Sequence, residues 1–266
     1  MKYSRLYASS VNLKNHKMKT KTILTTLAIA SAILITSCKK KENTSSGTPA
    51  NPIIIPTQST VQPSINIGAA ANLAILAGTS VSNTGATVIT GDLGLSPGSS
   101  VGGFPPGILN GTQHINDAIA TQAKLDLTAA YNDAAGRTAT DIVTLSGNIG
   151  GLTLTPGLYK STSSLAISSG DLTFDAKGNP NAVFIIQIAS ALTTTSGRKV
   201  FLAGGASASN IFWQVGSSAT FGTTSAFKGT ILAMQSITFN TGATLNGRAL
   251  ARTGAVVMAG NTIVKY

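Results

Sequence analysis

The side chains that could perform acid–base chemistry are few in this sequence and lie far apart. Asp171 and Asp175 share a turn region and Asp92 follows a glycine, but no second acidic residue accompanies either position in the repeats of the chain. His114 precedes the one helical segment, and His16 lies near the start of the chain. Polysaccharide hydrolysis and metal binding both need clustered carboxylates, histidines or cysteines. The sequence therefore predicts a protein that is not an enzyme and holds no metal and no cofactor.

Cys38 is the one cysteine, and its surroundings predict lipid attachment rather than an internal disulfide. Residues 23–37 form an apolar run that follows lysines; the run is shorter than the ~20 residues of a spanning helix and typical of a signal peptide. It ends in Ile35-Thr36-Ser37-Cys38, which resembles the lipobox of bacterial lipoproteins, in which the cysteine is lipidated. We therefore expect residues 1–37 to be a lipoprotein signal peptide, with translation starting at the first residue or at Met18.

Residues 38–63 are first charged and then rich in Ser, Thr, Pro and Asn, which predicts a flexible tether. A lipid on Cys38 would hold the following domain at a membrane through this tether. Stable anchoring needs more than one acyl chain, as lipoproteins usually carry. We expect an exported lipoprotein that is anchored at the bacterial cell surface or outer membrane, or released from it to the exterior.

The positive charge of the chain is concentrated near its N-terminus. The formal net charge is +11, but from residue 64 onward ten basic residues stand against seven aspartates, a net charge of +3, and the basic residues are scattered singly. Because nucleic-acid binding needs a basic stripe, we expect no nucleic-acid partner. Only 10% of residues are charged and 5% aromatic, whereas 28 are glycine, which favours an architecture with many tight turns.

Three consecutive blocks of 18 residues align without a gap. They span residues 210–227, 228–245 and 246–263, and the tenth, twelfth and eighteenth columns are apolar in all three. The pattern extends backward at a period of 27 residues, with the extra residues in AKGNPNA and AGGASAS, which are typical of turn insertions. Short strands between Gly or Asn turns at a fixed period indicate a β-helix. We count five coils of three strands from about 156 to 266, and residues 64–100 alternate similarly.

One segment, at about 112–135, has helical periodicity. The apolar residues that fall on one side of this helix are Ile115, Ile119, Ala123, Leu127, Ala130, Tyr131 and Ala134. Such a stripe is a packing surface, and the first strand of each coil offers outward apolar residues such as Phe212, Leu232 and Leu250 to receive it. The sequence therefore predicts one solenoid domain at 64–266, with one face covered by the helix and the others free.

The second strand of each coil presents a face without charge. Alternate residues of a strand point outward, so columns nine, eleven and thirteen face solvent when columns ten and twelve form the core. Coil by coil, these outward positions are Ser164, Ala166 and Ser168; Ala191, Thr193 and Thr195; Ser218, Thr220 and Gly222; Ser236, Thr238 and Asn240; and Gly254, Val256 and Met258. An ordinary solvated face would carry several Lys, Arg, Asp or Glu residues, and this one carries none.

Strand geometry gives this uncharged face a regular spacing. Coils stack at ~4.8 Å, and outward residues along one strand are ~6.8 Å apart. Because β-branched threonine has a restricted χ1, the methyl and hydroxyl groups are ordered before they contact anything. Such an array can hold water in a lattice-like layer that merges with ice. The same threonines could instead serve only to stabilise strand pairing.

Four longer segments resemble the microbial ice-binding proteins of the DUF3494 type. They are GDLGLSPG (91–98), TPGLY (155–159), FWQVGSSATFGTTSAFKGTILA (212–233) and ITFNTGATLNGRALARTGAVV (237–257), and the resemblance covers about residues 64–266. It implies a mainly β fold, a right-handed, discontinuous β-helix of triangular section with one long α-helix packed alongside. It also implies that the uncharged face binds ice and continues in the N-terminal segment through Ala77, Thr79 and Val81. The last coil departs from the family pattern, because Val256 and Met258 replace hydroxyl residues.

The sequence thus predicts a monomeric protein whose partner is the surface of an ice crystal, with antifreeze or ice recrystallisation inhibition activity. The alternative is a surface adhesin or glycan-binding solenoid lipoprotein, because solenoids offer extended binding faces and a fold does not fix a function. An aromatic platform would favour sugars, but the strand alternation predicts that Trp213 points inward. An assay of ice-crystal shape distinguishes the two functions.

Overall fold

The computed structural model describes residues 55–266. The predicted signal peptide, Cys38 and most of the predicted tether lie outside the described residues. In the described part of the chain, parallel strands accompany one α-helix and two short 3-10 helices, Gly68–Asn72 and Ala208–Asn210. No helix of residues 55–266 has both the length and the apolar character needed to cross a membrane.

The strands follow one another in coils of three, interrupted once by the helix. Those before the helix are β1 (Leu73–Ala77), β2 (Ser80–Thr84), β3 (Val88–Thr90), β4 (Asp92–Leu95), β5 (Ser100–Gly102), β6 (Ile108–Asn110) and β7 (Gln113–Ile115). The helix is α1 (Ala118–Gly136). Those after it are β8 (Val143–Thr144), β9 (Gly147–Asn148), β10 (Thr153–Leu154), β11 (Gly157–Ser161), β12 (Leu165–Ile167), β13 (Leu172–Asp175), β14 (Phe184–Ile188), β15 (Leu192–Thr194), β16 (Val200–Ala203), β17 (Ile211–Val215), β18 (Ala219–Phe221), β19 (Ala226–Ala233), β20 (Ile237–Phe239), β21 (Thr244–Ala251), β22 (Val256–Ala259) and β23 (Thr262–Val264).

Parallel pairing of successive coils builds three faces. The helix-covered face contains, in stacking order, β7, β4, β1, β21, β19, β17, β14, β11 and β8. The flat face contains β5, β2, β22, β20, β18, β15, β12 and β9. The third face contains β6, β3, β23, β21 and β19, and it continues into β16, β13 and β10 through a bridge between Lys199 and Ala226. The predicted β-helix is confirmed, including the five coils that run from β11 to β23.

Strands β19 and β21 each serve two faces because a glycine turns the corner between them. Gly229 and Gly247 have φ values of 110° and 152°, and they lie side by side in the register. A Cβ at Gly247 would lie 2.0 Å from the carbonyl oxygen of Gly229. Only glycine allows one coil to approach the next this closely at the corner.

The coils do not stack in chain order. Strands β1, β2 and β3 pair with β21, β22 and β23, so the first coil lies directly against the last. Lys265 Nζ donates to the Asn72 carbonyl at 3.0 Å and Arg248 Nε donates to the Ala71 carbonyl at 3.0 Å across this seam. The 19-residue helix α1, ~28 Å long, returns the chain along the stack, a distance of about six coil spacings.

Aromatic side chains fill the solenoid interior next to Trp213. Trp213 is fully buried and points inward, as predicted, and its Nε1 donates to the Lys228 carbonyl at 3.0 Å. Its ring centroid lies 5.5 Å from that of Phe174 and 4.8 Å from that of Phe227. Edge-to-face and tilted packing of this kind stabilises the core beyond simple apolar burial.

The helix begins six residues later than its periodicity predicted. The Asp117 carboxylate accepts the Ala120 N–H at 2.8 Å and so caps the first turn, while residues 113–115 pair with β4. Ile119 is 45% exposed, and the buried position on the helix next to it is Ala120. The stripe prediction is therefore wrong for Ile115 and Ile119, because those residues precede or open the helix.

The remainder of the stripe packs as predicted on the helix-covered face. Leu127 and Tyr131 belong to one buried cluster with Phe212, Leu232 and Leu250. At the other end of α1, Gln187 Nε2 donates to the carbonyl oxygens of residues 134 and 137, at 2.8 Å each. These bonds satisfy carbonyl groups that the end of a helix leaves unpaired.

Residues 55–63, which we call the strap, lie against the solenoid. The Asp141 carboxylate accepts the Ser59 N–H at 2.5 Å, the Ser59 hydroxyl at 3.0 Å and the Thr60 N–H at 2.9 Å. These hydrogen bonds hold the pKa of Asp141 well below its usual value. Gln58 Oε1 also accepts the Leu158 N–H at 2.8 Å, and the side chain of Gln62 is buried. The tether prediction is therefore wrong for the strap.

Candidate functional site

The flat face carries one continuous middle row of outward residues. The register of all eight strands aligns, in order, Gly102, Ser82, Val257, Thr238, Thr220, Thr193, Ala166 and Asn148. At ~4.8 Å per strand, the row is roughly 34 Å long. Four of its central members are β-branched, so their side chains are confined to few rotamers.

Two flanking rows run parallel to the middle row, two residues away along each strand. One contains Ser80, Ala255, Ser236, Ser218, Ala191 and Ser164. The other contains Thr84, Ala259, Asn240, Gly222, Thr195 and Ser168. The predicted outward residues from Ser164 to Asn240 are thus placed together on one surface, whereas the residues between the rows, such as Ile237 and Phe239, are buried.

The hydroxyl groups of the middle row differ from those of the flanking rows in their bonding. Ser164 Oγ accepts the Ala191 N–H and Ser236 Oγ accepts the Ala255 N–H, each at 3.2 Å. Among the described residues, no protein group bonds the hydroxyls of Thr193, Thr220 or Thr238. These three hydroxyls are therefore available to water along their whole row.

The electrostatics of the flat face are those of neutral groups. The eight strands, all within residues 55–266, contain no Lys, Arg, Asp, Glu or His. The face consequently presents methyl groups, hydroxyls and a few amides at fixed spacing and lacks titratable groups on its strands. It can order water by hydrogen bonding and by shape, and it offers no group for acid–base or nucleophilic chemistry.

The predicted N-terminal positions of this face are wrong by one residue. Ala77 and Val81 are buried in the core, and Thr79 is exposed in the turn between β1 and β2. The outward residues of β2 are instead the even-numbered ones, beginning with Ser80 and Ser82. Asn83 occupies an inward position because its amide donates to the carbonyl oxygens of residues 85 and 103 at the corner.

The predicted positions in the last coil are also shifted. Val256 and Met258 are buried core residues, and Gly254 lies in the preceding turn. The cause is one extra residue in that turn, because Thr238 pairs with Val257, 19 residues later, instead of 18. The gap-free alignment missed this insertion since a one-residue deletion after β22 restores the period of 18 between β21 and β23.

Asn148, Ser82 and Val257 belong to the middle row but escaped the sequence analysis. Asn148 ends the face: its Oδ1 accepts the Ser168 N–H at 2.8 Å, and its Nδ2 donates to the Ser169 carbonyl at 3.1 Å. The amide thereby replaces part of the missing next strand. A search for the second strand upstream of residue 156 would have found Asn148, whereas Ser82 and Val257 needed the pairing of the first coil with the last.

Acidic and histidine side chains meet at one place away from the flat face. His114 Nδ1 lies 2.7 Å from Asp117 Oδ2, and its Nε2 lies 4.0 Å from Asp92 Oδ2, at the start of α1. The two nitrogens point to different carboxylates, which suits a helix-end contact. Within residues 55–266 no group of three or more His, Cys, Asp or Glu side chains has a geometry that could hold a metal ion.

Comparisons with known proteins agree on one family. A family model described as ice-binding-like matches residues 75–264. The ice-binding protein of Nostoc sp. (strain HG1) is 48% identical over 199 residues, 74% of this chain and 72% of that relative. The ice-binding protein of Flavobacterium frigoris (strain PS1) is 38% identical over 268 residues, 89% of this chain and 95% of the relative.

A solved structure is similar to this one as well. The crystal structure of an ice-binding protein from an Antarctic biological consortium is 74% identical in sequence, with a TM-score of 0.79. The match covers 80% of this chain and 96% of that chain. The similarity therefore extends over the coils on both sides of α1.

Proposed function

This chain belongs to the ice-binding-like family, and we propose that it adsorbs to ice through its flat face. The observation that carries the proposal is the middle row, in which Thr193, Thr220 and Thr238 stand in register with hydroxyls that no described protein group bonds. The proposed function is purely adsorptive, by a monomer, with ice as the partner and without metal, cofactor or catalysis. The comparisons give the adhesin alternative no support.

The proposed mechanism depends on many weak contacts acting together. Threonine hydroxyls hold water molecules at the strand spacing, and the methyl groups beside them favour an ordered water layer over a disordered one. Parallel pairing on both sides fixes each strand, so little conformational entropy is lost when the face meets a crystal. Adsorbed protein then blocks the addition of water to the covered ice surface, which gives antifreeze activity and inhibits recrystallisation.

Thr238→Tyr tests the face. The side chain points outward, so the variant folds, but the ring lifts the flat face away from the lattice and most ice shaping and thermal hysteresis is lost. Thr162→Tyr is the matched control, because Thr162 is exposed and lies outside the three rows. Circular dichroism checks the fold of both variants. A folded Thr238→Tyr that shapes ice as the parent does would contradict the assignment of the face, and a parent without ice activity would contradict the function.

We also propose that the protein is exported and anchored by a lipid on Cys38, which lies outside the described residues. The support is the sequence pattern Ile35-Thr36-Ser37-Cys38 after an apolar run. Cys38→Ala is expected to leave the protein unprocessed or to release it from the membrane fraction. The measurement is the mature mass together with membrane fractionation, and an unchanged result in both would refute the anchor while leaving the ice-binding proposal intact.

A further inference from the structure

The third face carries an exposed aromatic ring. Phe201 is 47% exposed, whereas every other Phe, Tyr and Trp of residues 55–266 is buried or half-buried. In β16 the buried neighbour Val200 faces the core, so Phe201 faces solvent from a paired strand. An aromatic platform is the feature that would favour sugar binding, and it occurs at Phe201 instead of Trp213.

Two lysines flank this ring on the same surface. Lys199 precedes Phe201 by two residues, so both side chains leave the same side of the chain, ~6.8 Å apart. Lys199 bridges to Ala226, and two residues further along each strand Phe201 lies beside Lys228, at the ~4.8 Å strand spacing. The ring thus has an ammonium group along its strand and another across the strand gap.

The charge of these two lysines is not compensated locally. Among the described residues, neither Lys199 nor Lys228 forms an ion pair. The nearby carboxylates are already engaged: Asp171 lies 3.8 Å from Arg198, and Asp175 lies 2.8 Å from the Lys177 ammonium group. The surface around Phe201 is therefore cationic.

A row of neutral polar side chains continues from this cluster along the solenoid axis. Thr173 is the register partner of Phe201 on one side. On the other side, the row beyond Lys228 contains Asn246, Val264, Thr90 and Asn110, each aligned with the previous one. The arrangement is linear and shallow and has hydrogen-bonding groups at the coil spacing.

We propose that Lys199, Phe201 and Lys228 form a binding site for a linear acidic polysaccharide. The apolar face of a sugar ring stacks on Phe201, and uronate carboxylates of the neighbouring sugars bind the two ammonium groups. A polymer lying along the row also meets Asn246 and Thr173. A lipid surface fits less well, because a single aromatic ring among threonine and asparagine side chains gives little apolar area to insert. The site is separate from the flat face.

Co-sedimentation and calorimetry with polygalacturonate test the site, with dextran as the neutral polymer and phosphatidylglycerol–phosphatidylcholine vesicles as the anionic lipid. The protein is expected to bind polygalacturonate at low salt, at least tenfold more tightly than dextran, and to release it in high salt. Phe201→Ala and the double variant Lys199→Gln/Lys228→Gln are each expected to weaken binding at least tenfold. Phe201→Leu keeps an apolar side chain and is also expected to weaken binding, because the ring is lost.

The flat face supplies the matched control. Thr238→Tyr should bind polygalacturonate as the parent does, and the Phe201 variants should shape ice as the parent does. Absence of polygalacturonate binding by the parent, or unchanged binding by Phe201→Ala, would overturn the proposal. Binding to the vesicles but not to the polymer would replace it with a lipid site. Each of these outcomes is independent of whether the flat face binds ice.

Discussion

At the scale of single residues, hydroxyl groups on the same surface have different tasks. The serines of the flanking row spend their acceptor capacity on backbone N–H groups of the next coil, as Ser164 and Ser236 do. Thr193, Thr220 and Thr238 make no such bond among the described residues. A hydroxyl engaged with the backbone has fewer lone pairs and less freedom to orient a water molecule. We therefore expect the middle row to dominate ice binding.

Val257 interrupts the hydroxyl groups of the middle row and is 37% exposed. Val257→Thr replaces one methyl by a hydroxyl of similar size, so thermal hysteresis is expected to rise without loss of stability. Val256→Thr makes the same change one residue earlier, where the side chain is fully buried, and is expected to cost about 1–3 kcal/mol of unfolding free energy. Ice assays and denaturant titrations of the pair check both outcomes. The reverse pattern would refute the pairing of Val257 with Thr238.

The strand alternation predicted the outward residues from Ser164 to Asn240 because the period is constant over those coils. It failed at Val256, where one inserted turn residue exchanges the two sides of the strand. Composition could not reveal this, since Val256 and Val257 are the same residue type. It failed at Val81 because the polar Asn83 lies inside, bonded to corner carbonyls. The role of the rows in ice binding stays a prediction.

At the scale of elements, the strap depends on one carboxylate. Asp141 accepts three hydrogen bonds from Ser59 and Thr60, which lower its pKa below the unfolded value. A lowered carboxyl pKa adds stability that is present above the unfolded pKa and is lost as pH falls through the folded pKa. Asp141→Asn is therefore expected to lower the melting temperature at pH 7, with a difference from the parent that shrinks progressively below about pH 4.

Limited proteolysis locates the effect of Asp141→Asn, because cleavage near Ser59 should increase while the coils stay resistant. Gln122→Glu, an exposed change on α1, is the control and should alter neither property. A melting difference that persists undiminished to acidic pH would argue against the carboxylate as the source. The strap was beyond sequence analysis, since its composition is that of a linker and its order comes from a residue more than 80 positions away.

At the scale of the whole molecule, charge and ice binding are separated. Lys124, whose pKa is lowered to about 8 by burial and by the nearby charge of Arg252, lies on the helix-covered face, where it donates to the Ala251 carbonyl. The strands of the flat face carry no titratable side chain. Ice shaping is therefore expected to be constant between about pH 5 and pH 9. A titration of activity within that range, with circular dichroism unchanged, would show that a charged group contributes to the face.

The seam between the first coil and the last has a kinetic consequence. Ile75 pairs with Ala249, 174 residues later in the chain, so the strands of the first coil have one of their two neighbours only when synthesis is nearly finished. Closing so long a loop is slow relative to the pairing of adjacent coils. On a ribosome, the coils after α1 can stack as they emerge, whereas the N-terminal coils must wait for the end of translation. The middle row of the flat face, which crosses the seam between Ser82 and Val257, is consequently complete only in a finished and released chain.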